Sequence, residues 1–154
     1  MRPFVMFSLL VPFTLVACDK AGVSDTAALG PSDEELLAAI DGYETWSNAP
    51  SWPGISAGEG PHGAFVQIWW NDLALDALSA GDAELPVGAV LVKESYADET
   101  GATLNNVTVM WKAEAGEWTW ARLGADGAVA DAGALSSCSE CHASSKDFVR
   151  SESW

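Results

Sequence analysis

The spacing of apolar and polar positions changes several times along the chain, and each change predicts an element. Leu36, Leu37, Ile40 and Tyr43 share one helical face behind Ser32-Asp33-Glu34-Glu35, a capping box, so a helix of about three turns starts there. Residues 44–61 scatter Pro50, Pro53, Gly54, Gly58, Gly60 and Pro61 among polar residues, Trp46 and Trp52, which reads as irregular structure. At 64–71 the pattern becomes β-branched and aromatic, Ala-Phe-Val-Gln-Ile-Trp-Trp-Asn, a strand with one face more polar than the other. Residues 72–78 return to helical spacing behind an Asn/Asp cap and stop at Gly81. Three further strands are expected at about 87–96, 104–112 and 117–123, the last two joined by a hairpin at Ala115-Gly116. A loop over 124–135, turning at Asp126-Gly127, leads to a last helix that continues through Asp147, Phe148 and Val149. Strands with short links imply an antiparallel sheet. The expected class is therefore α+β, a mostly antiparallel sheet of about four to five strands with flanking helices.

The amino terminus follows another logic. Met1-Arg2 precedes an apolar stretch from Phe4 to Ala17, too short to span a bilayer and the size of a signal-peptide core. It closes on Leu15-Val16-Ala17-Cys18, which resembles the lipobox of bacterial lipoproteins, where cleavage precedes a cysteine that receives lipid. An ordinary secretory signal ending at a chance cysteine is the alternative. Residues 1–17 are thus expected as signal peptide, Cys18 as the lipidation site opening a small, polar tether over 18–31, and 32–154 as one domain. Such a protein is exported and held on the periplasmic face of a bacterial membrane by lipid alone.

Charge narrows the partners. Removing residues 1–17 deletes Arg2, leaving six cations against 22 acids, a formal charge of −16. That surface repels nucleic acid and anionic headgroups and favours encounter with a basic redox partner. Keeping an aromatic-rich chain soluble is the competing role.

The chemistry sits near the end, in Cys138-Ser139-Glu140-Cys141-His142. Cys-x-x-Cys-His reads as a c-type haem attachment site: two thiols on one helical turn add to the vinyl groups of one covalent haem, and the adjacent His142 is carried to the iron as its proximal ligand. A structural zinc site needs about four ligands, and Cys18 and His62 are the remaining thiol and imidazole. A thioredoxin-like redox pair belongs after a strand of a βαβ unit, whereas this run follows a Gly/Ala/Asp-rich loop. For a sixth iron ligand the chain offers Met110 and His62, each with a structural alternative, core filling and a strand-entry hydrogen bond. Lys93, Lys112 and Arg122 are the cations available to pair with haem propionates, against a role as exposed strand charges.

Several blocks then fall into a familiar order. His62-Gly63 precedes an apolar strand ending in Asn71. Residues 86–94 read Pro-Val-Gly-Ala-Val-Leu-Val-Lys-Glu, 107–112 Val-Thr-Val-Met-Trp-Lys and 118–120 Trp-Thr-Trp, and the haem motif is followed by Asp147-Phe148-Val149. Over roughly 32–149 the chain resembles the cytochrome P-460 family, which includes the cytochromes c′-beta. The resemblance implies a homodimer with a high-spin haem, His142 below the iron and an open distal side that binds nitric oxide or another small nitrogenous or diatomic ligand. Members that oxidise hydroxylamine carry a lysine bond to the porphyrin and a distal carboxylate. Between Lys20 and Lys93 this chain has no lysine, and the loop before the motif supplies Asp126 and Asp131 as the acids. The expectation is a lipid-anchored mono-haem c-type cytochrome, five-coordinate, that binds a small ligand or passes electrons. The alternatives are a hydroxylamine- or nitric-oxide-oxidising enzyme and a plain six-coordinate electron carrier.

Overall fold

The computed structural model describes residues 30–48, 51–58 and 60–150. The signal, lipobox and most of the tether expected from the sequence, with Cys18, lie outside the described residues.

The capping box forms as the pattern requires: Ser32 Oγ accepts from the Glu35 amide, and the Glu35 carboxylate accepts from the Ser32 amide. Helix α1 (Asp33–Ala39) nevertheless runs only seven residues, because Gly42 turns the chain in the left-handed region. Seven strands follow, β1 (Ser47–Asn48), β2 (Ser56–Ala57), β3 (Phe65–Trp70), β4 (Val90–Tyr96), β5 (Leu104–Glu114), β6 (Glu117–Gly124) and β7 (Val129–Gly133). They make one antiparallel sheet in the order β1-β3-β4-β5-β6-β7, with β2 also on β3. The α+β class holds, and the sheet is larger than the four to five strands expected. Strands β1 and β2 are two-residue pairings inside a stretch dominated by Gly and Pro, and the loop expected over 124–135 contains β7, whose Ala, Asp and Gly carry little strand signal.

Asn71 joins β3 to helix α2 (Asp72–Ala80). Its Oδ1 accepts from the Ala74 and Val90 amides at 3.1 Å each, and its Nδ2 donates to the Gly88 carbonyl at 2.8 Å. One side chain caps the helix and fixes the entry to β4.

Alternation along the strands divides the molecule into two apolar layers. One face carries Val90, Val92, Val107, Val109, Ala121 and Leu123 under Leu36 of α1 and Ile40, which caps it. At its border Glu94, 6% exposed, accepts from Tyr43 Oη at 3.0 Å and Trp69 Nε1 at 2.7 Å. The other face is written by two rows of paired positions. Trp70, Leu91, Met110 and Trp120 form one row, and Ile68, Lys93, Thr108, Arg122 and Asp131 form the next. Against this second face pack α2, helix α3 (Ser136–His142) and the segment ending at Val149.

Candidate functional site

Helix α3 ends at His142 instead of running on to Val149. The chain turns through Ser145, and Asp147 and Phe148 take left-handed backbone angles, φ +43° and +62°. That turn brings the Phe148 carbonyl to 2.7 Å from His142 Nδ1. An imidazole whose Nδ1–H donates to a carbonyl has Nε2 as its unprotonated nitrogen, the form in which histidine binds a metal. Burial lowers the His142 pKa, against the opposing effect of the Phe148 hydrogen bond, so the ring is neutral near pH 7. The edge of Trp120 lies against it, with ring centres 4.9 Å apart.

His142 and Cys138, one turn apart on α3, both line a cleft over the second face of the sheet. Its floor is the apolar row Trp70, Leu91, Met110 and Trp120 with Ile68, and Lys93, His62 and Arg150 complete the wall. Cys141, the second thiol of the motif, is exposed. Gly63 seats His62: its backbone, at φ +104°, passes so close to the Ser95 hydroxyl that a Cβ there would clash with it.

The electrostatics are one-sided. His62 is pushed down to about 4, by burial first and then by Lys93, His142 and Arg150, so it is a neutral imidazole. Lys93 is pushed down to about 8, by burial first and then by Arg150. Among the described residues neither Lys93 nor Arg150 has a carboxylate partner. The Trp70 indole N–H, on a side chain 2% exposed, also lacks an acceptor among them. Cations without counter-charge and a donor without an acceptor, around an apolar floor, are what a flat apolar group with acidic edges would complete. The residues present therefore fit a haem: apolar walls for the ring, Lys93 and Arg150 for its carboxylates, and His142 Nε2 for its iron.

Lys93 also gives a pH dependence. Below about pH 8 the folded, haem-free chain buries an unpaired ammonium and above it releases the proton, while the unfolded lysine keeps its proton to about 10.5. Between those values the unfolded chain binds more protons, so stability rises with pH. Urea unfolding of haem-free protein is expected to show a rise from about pH 8 to about 9.5, and Lys93→Met to flatten it.

The other sequence candidates are placed as follows. Met110 and His62 line the cleft. Lys112 does not; it is 2% exposed and bound to Asp147, with Nζ to Oδ2 2.8 Å and to Oδ1 3.0 Å, which removes it as a propionate partner. Arg122 is exposed and forms a two-pronged ion pair with Asp131, its Nε donating at 2.8 Å. That pair holds the Asp131 carboxyl below the usual range, which makes it a poor proton acceptor. Asp126 accepts from the Ala128 amide in the β6–β7 turn and borders a groove under Tyr43 and Leu104 on the opposite face, away from the cleft. Among the described residues no three His, Cys, Asp or Glu side chains gather as a metal site.

Sequence reasoning missed Arg150 and the role of Asp147. Arg150 carries one usable signal, a cation eight positions after His142 in a chain with seven Lys and Arg in all. A family model described as cytochrome P460 matches residues 40–150. No curated protein matches the chain.

Proposed function

Since the chain belongs to the cytochrome P460 family, we propose that its haem is a single haem c, joined by thioether bonds to Cys138 and Cys141, with His142 Nε2 as proximal ligand. One observation carries this reading. His142 is the buried ring at the end of the motif helix, and the Phe148 carbonyl at 2.7 Å reserves its Nε2 for a metal. The haem supplies an iron that binds a small ligand or changes charge by one electron. The chain's own residues hold and enclose it: Lys93 and Arg150 neutralise the propionates, and Trp120 fixes the plane of the His142 ring. Trp70, Ile68 and Leu91 keep water from the apolar side, where nitric oxide or a similar neutral diatomic would be accepted. The lipid anchor at Cys18, the periplasmic location, the homodimer and a basic electron-transfer partner complete the proposal. Among the described residues no helix is long and apolar enough to cross a membrane.

A specific contact favours a second reading. The rings of His62 and His142 are 6.0 Å apart between centres and perpendicular, at 88°. A first-row metal ion lies about 2 Å from an imidazole nitrogen, so two imidazoles on opposite sides of one ion have centres about 6 Å apart. His62 is neutral and has no hydrogen-bond partner among the described residues. In that case the protein is a six-coordinate electron carrier.

Absorption and EPR spectra of the haem-loaded protein, oxidised and reduced, with and without nitric oxide, separate the two. A high-spin spectrum that shifts with nitric oxide is expected; a low-spin spectrum lost in His62→Ala would establish the carrier. Mass spectrometry after trypsin is expected to find haem on the peptide containing Cys138 and Cys141, and haem extractable into acidic solvent would overturn covalent attachment. The same digest addresses hydroxylamine oxidation, because Lys93 brings a primary amine into the cleft. Haem on the Lys93 peptide would move the assignment to the enzyme.

A further inference from the structure

Two adjacent non-glycine residues in the left-handed region are costly, on the order of 1–2 kcal/mol each. Asp147 and Phe148 are such a pair, placed directly between the haem helix and the end of the described chain. Something must hold them, and the Asp147 carboxylate shows what does. Its side chain is 7% exposed and receives four donor contacts: Lys112 Nζ on both oxygens, the Leu85 amide at 2.7 Å and Trp118 Nε1 at 3.1 Å. Lys112 comes from β5, Trp118 from β6 and Leu85 from the segment before β4, so the carboxylate is fixed at three separate places, two of them on the sheet.

The next residue, Phe148, carries the carbonyl that receives the His142 Nδ1–H. The path from the sheet to the proximal histidine is therefore short: Lys112 and Trp118, then Asp147, then the Phe148 carbonyl, then the imidazole. We propose that Asp147 is a positioning residue that sets the strength of the hydrogen bond on His142, and through it the electron density that His142 offers to the iron. This rests on the reading of His142 as proximal ligand. A carbonyl held at 2.7 Å draws the Nδ1 proton and makes Nε2 a stronger donor. That favours the oxidised iron and lowers the reduction potential. If the carbonyl swings away, both effects weaken.

Asp147→Asn removes the charge and exchanges one accepting oxygen for a donor while keeping the shape, since asparagine tolerates left-handed backbone. In haem-loaded Asp147→Asn, resonance Raman spectroscopy of the reduced protein is expected to show the iron–histidine stretch moved to lower frequency, and titration to show a higher midpoint potential. Leu36→Ala, on the opposite face, serves as the control: it must lower stability and leave both readouts unchanged. If Asp147→Asn does not load haem, Trp118→Phe, which removes one donor and keeps the carboxylate, is read in its place and shifts both in the same direction by less. An unchanged stretch and potential in a less stable variant would overturn the proposal and make Asp147 purely structural. A wild type with no iron–histidine stretch in the reduced high-spin protein would overturn the assignment of His142 as well.

Discussion

Replacing Lys112 by methionine is expected to lower the free energy of unfolding by about 3–5 kcal/mol, the usual cost of breaking a buried ion pair from one side. The ammonium is 2% exposed and sits 5.5 Å over the Trp118 ring while holding both oxygens of Asp147. Glu84, 3.8 Å away and mostly exposed, adds little. Methionine fills much of the same space but leaves a carboxylate facing two neutral donors, the Leu85 amide and the Trp118 indole. Urea titration followed by tryptophan fluorescence would measure the loss. The double variant Lys112→Met with Asp147→Asn should recover part of it, since the penalty is a stranded charge and not a missing methylene. Equal destabilisation in the single and double variants would show that packing, and not charge, is at stake.

Trp120→Ala carries the second large effect, also about 3–5 kcal/mol, from loss of an aromatic side chain in a well-packed core. Trp120 is 4% exposed, lies edge-on to His142 and is 6.4 Å from the Phe148 ring, so its removal opens a void beside the imidazole. Haem-loaded Trp120→Ala should show a broadened, heterogeneous high-spin EPR signal along with the lower stability. Trp120→Phe should restore most of both. A variant that is destabilised but spectroscopically identical to wild type would mean that the Phe148 carbonyl alone orients the ring.

How much of this was legible beforehand depends on range. The capping box at Ser32, the Asn71 cap and the Gly116 hairpin all rest on residues within a few positions of one another, and each is read correctly from spacing, whereas the motif helix is found but stops at His142 and not at Val149. The strand alternation gives the two faces, because Trp118 and Trp120 share a parity that local pattern reveals. What the pattern does not reveal is which neighbour each side chain meets. Lys112 and Lys93 look alike in sequence, each a cation in an apolar strand. Only the strand pairing sends Lys93 to the cleft and Lys112 to Asp147, 35 positions later. Asp131 and Arg122 are nine positions apart and were read separately as acid and cation; the β6–β7 ladder makes them partners. Strand β7 escaped because pairing against β6, and not its own composition, makes it a strand.

The alternation of β4 has one further effect. Lys93 and Glu94 are covalent neighbours of opposite sign, yet the pleat sends them to opposite sides of the sheet, where Glu94 is occupied by Tyr43 and Trp69. The sheet thus works as an electrostatic partition. In a chain with 22 acidic residues, the acid nearest to Lys93 in sequence is walled off from it, and the ammonium stays available to an anionic guest. A one-residue slip of β4 would exchange the two sides and put a carboxylate where the guest's own carboxylates must go.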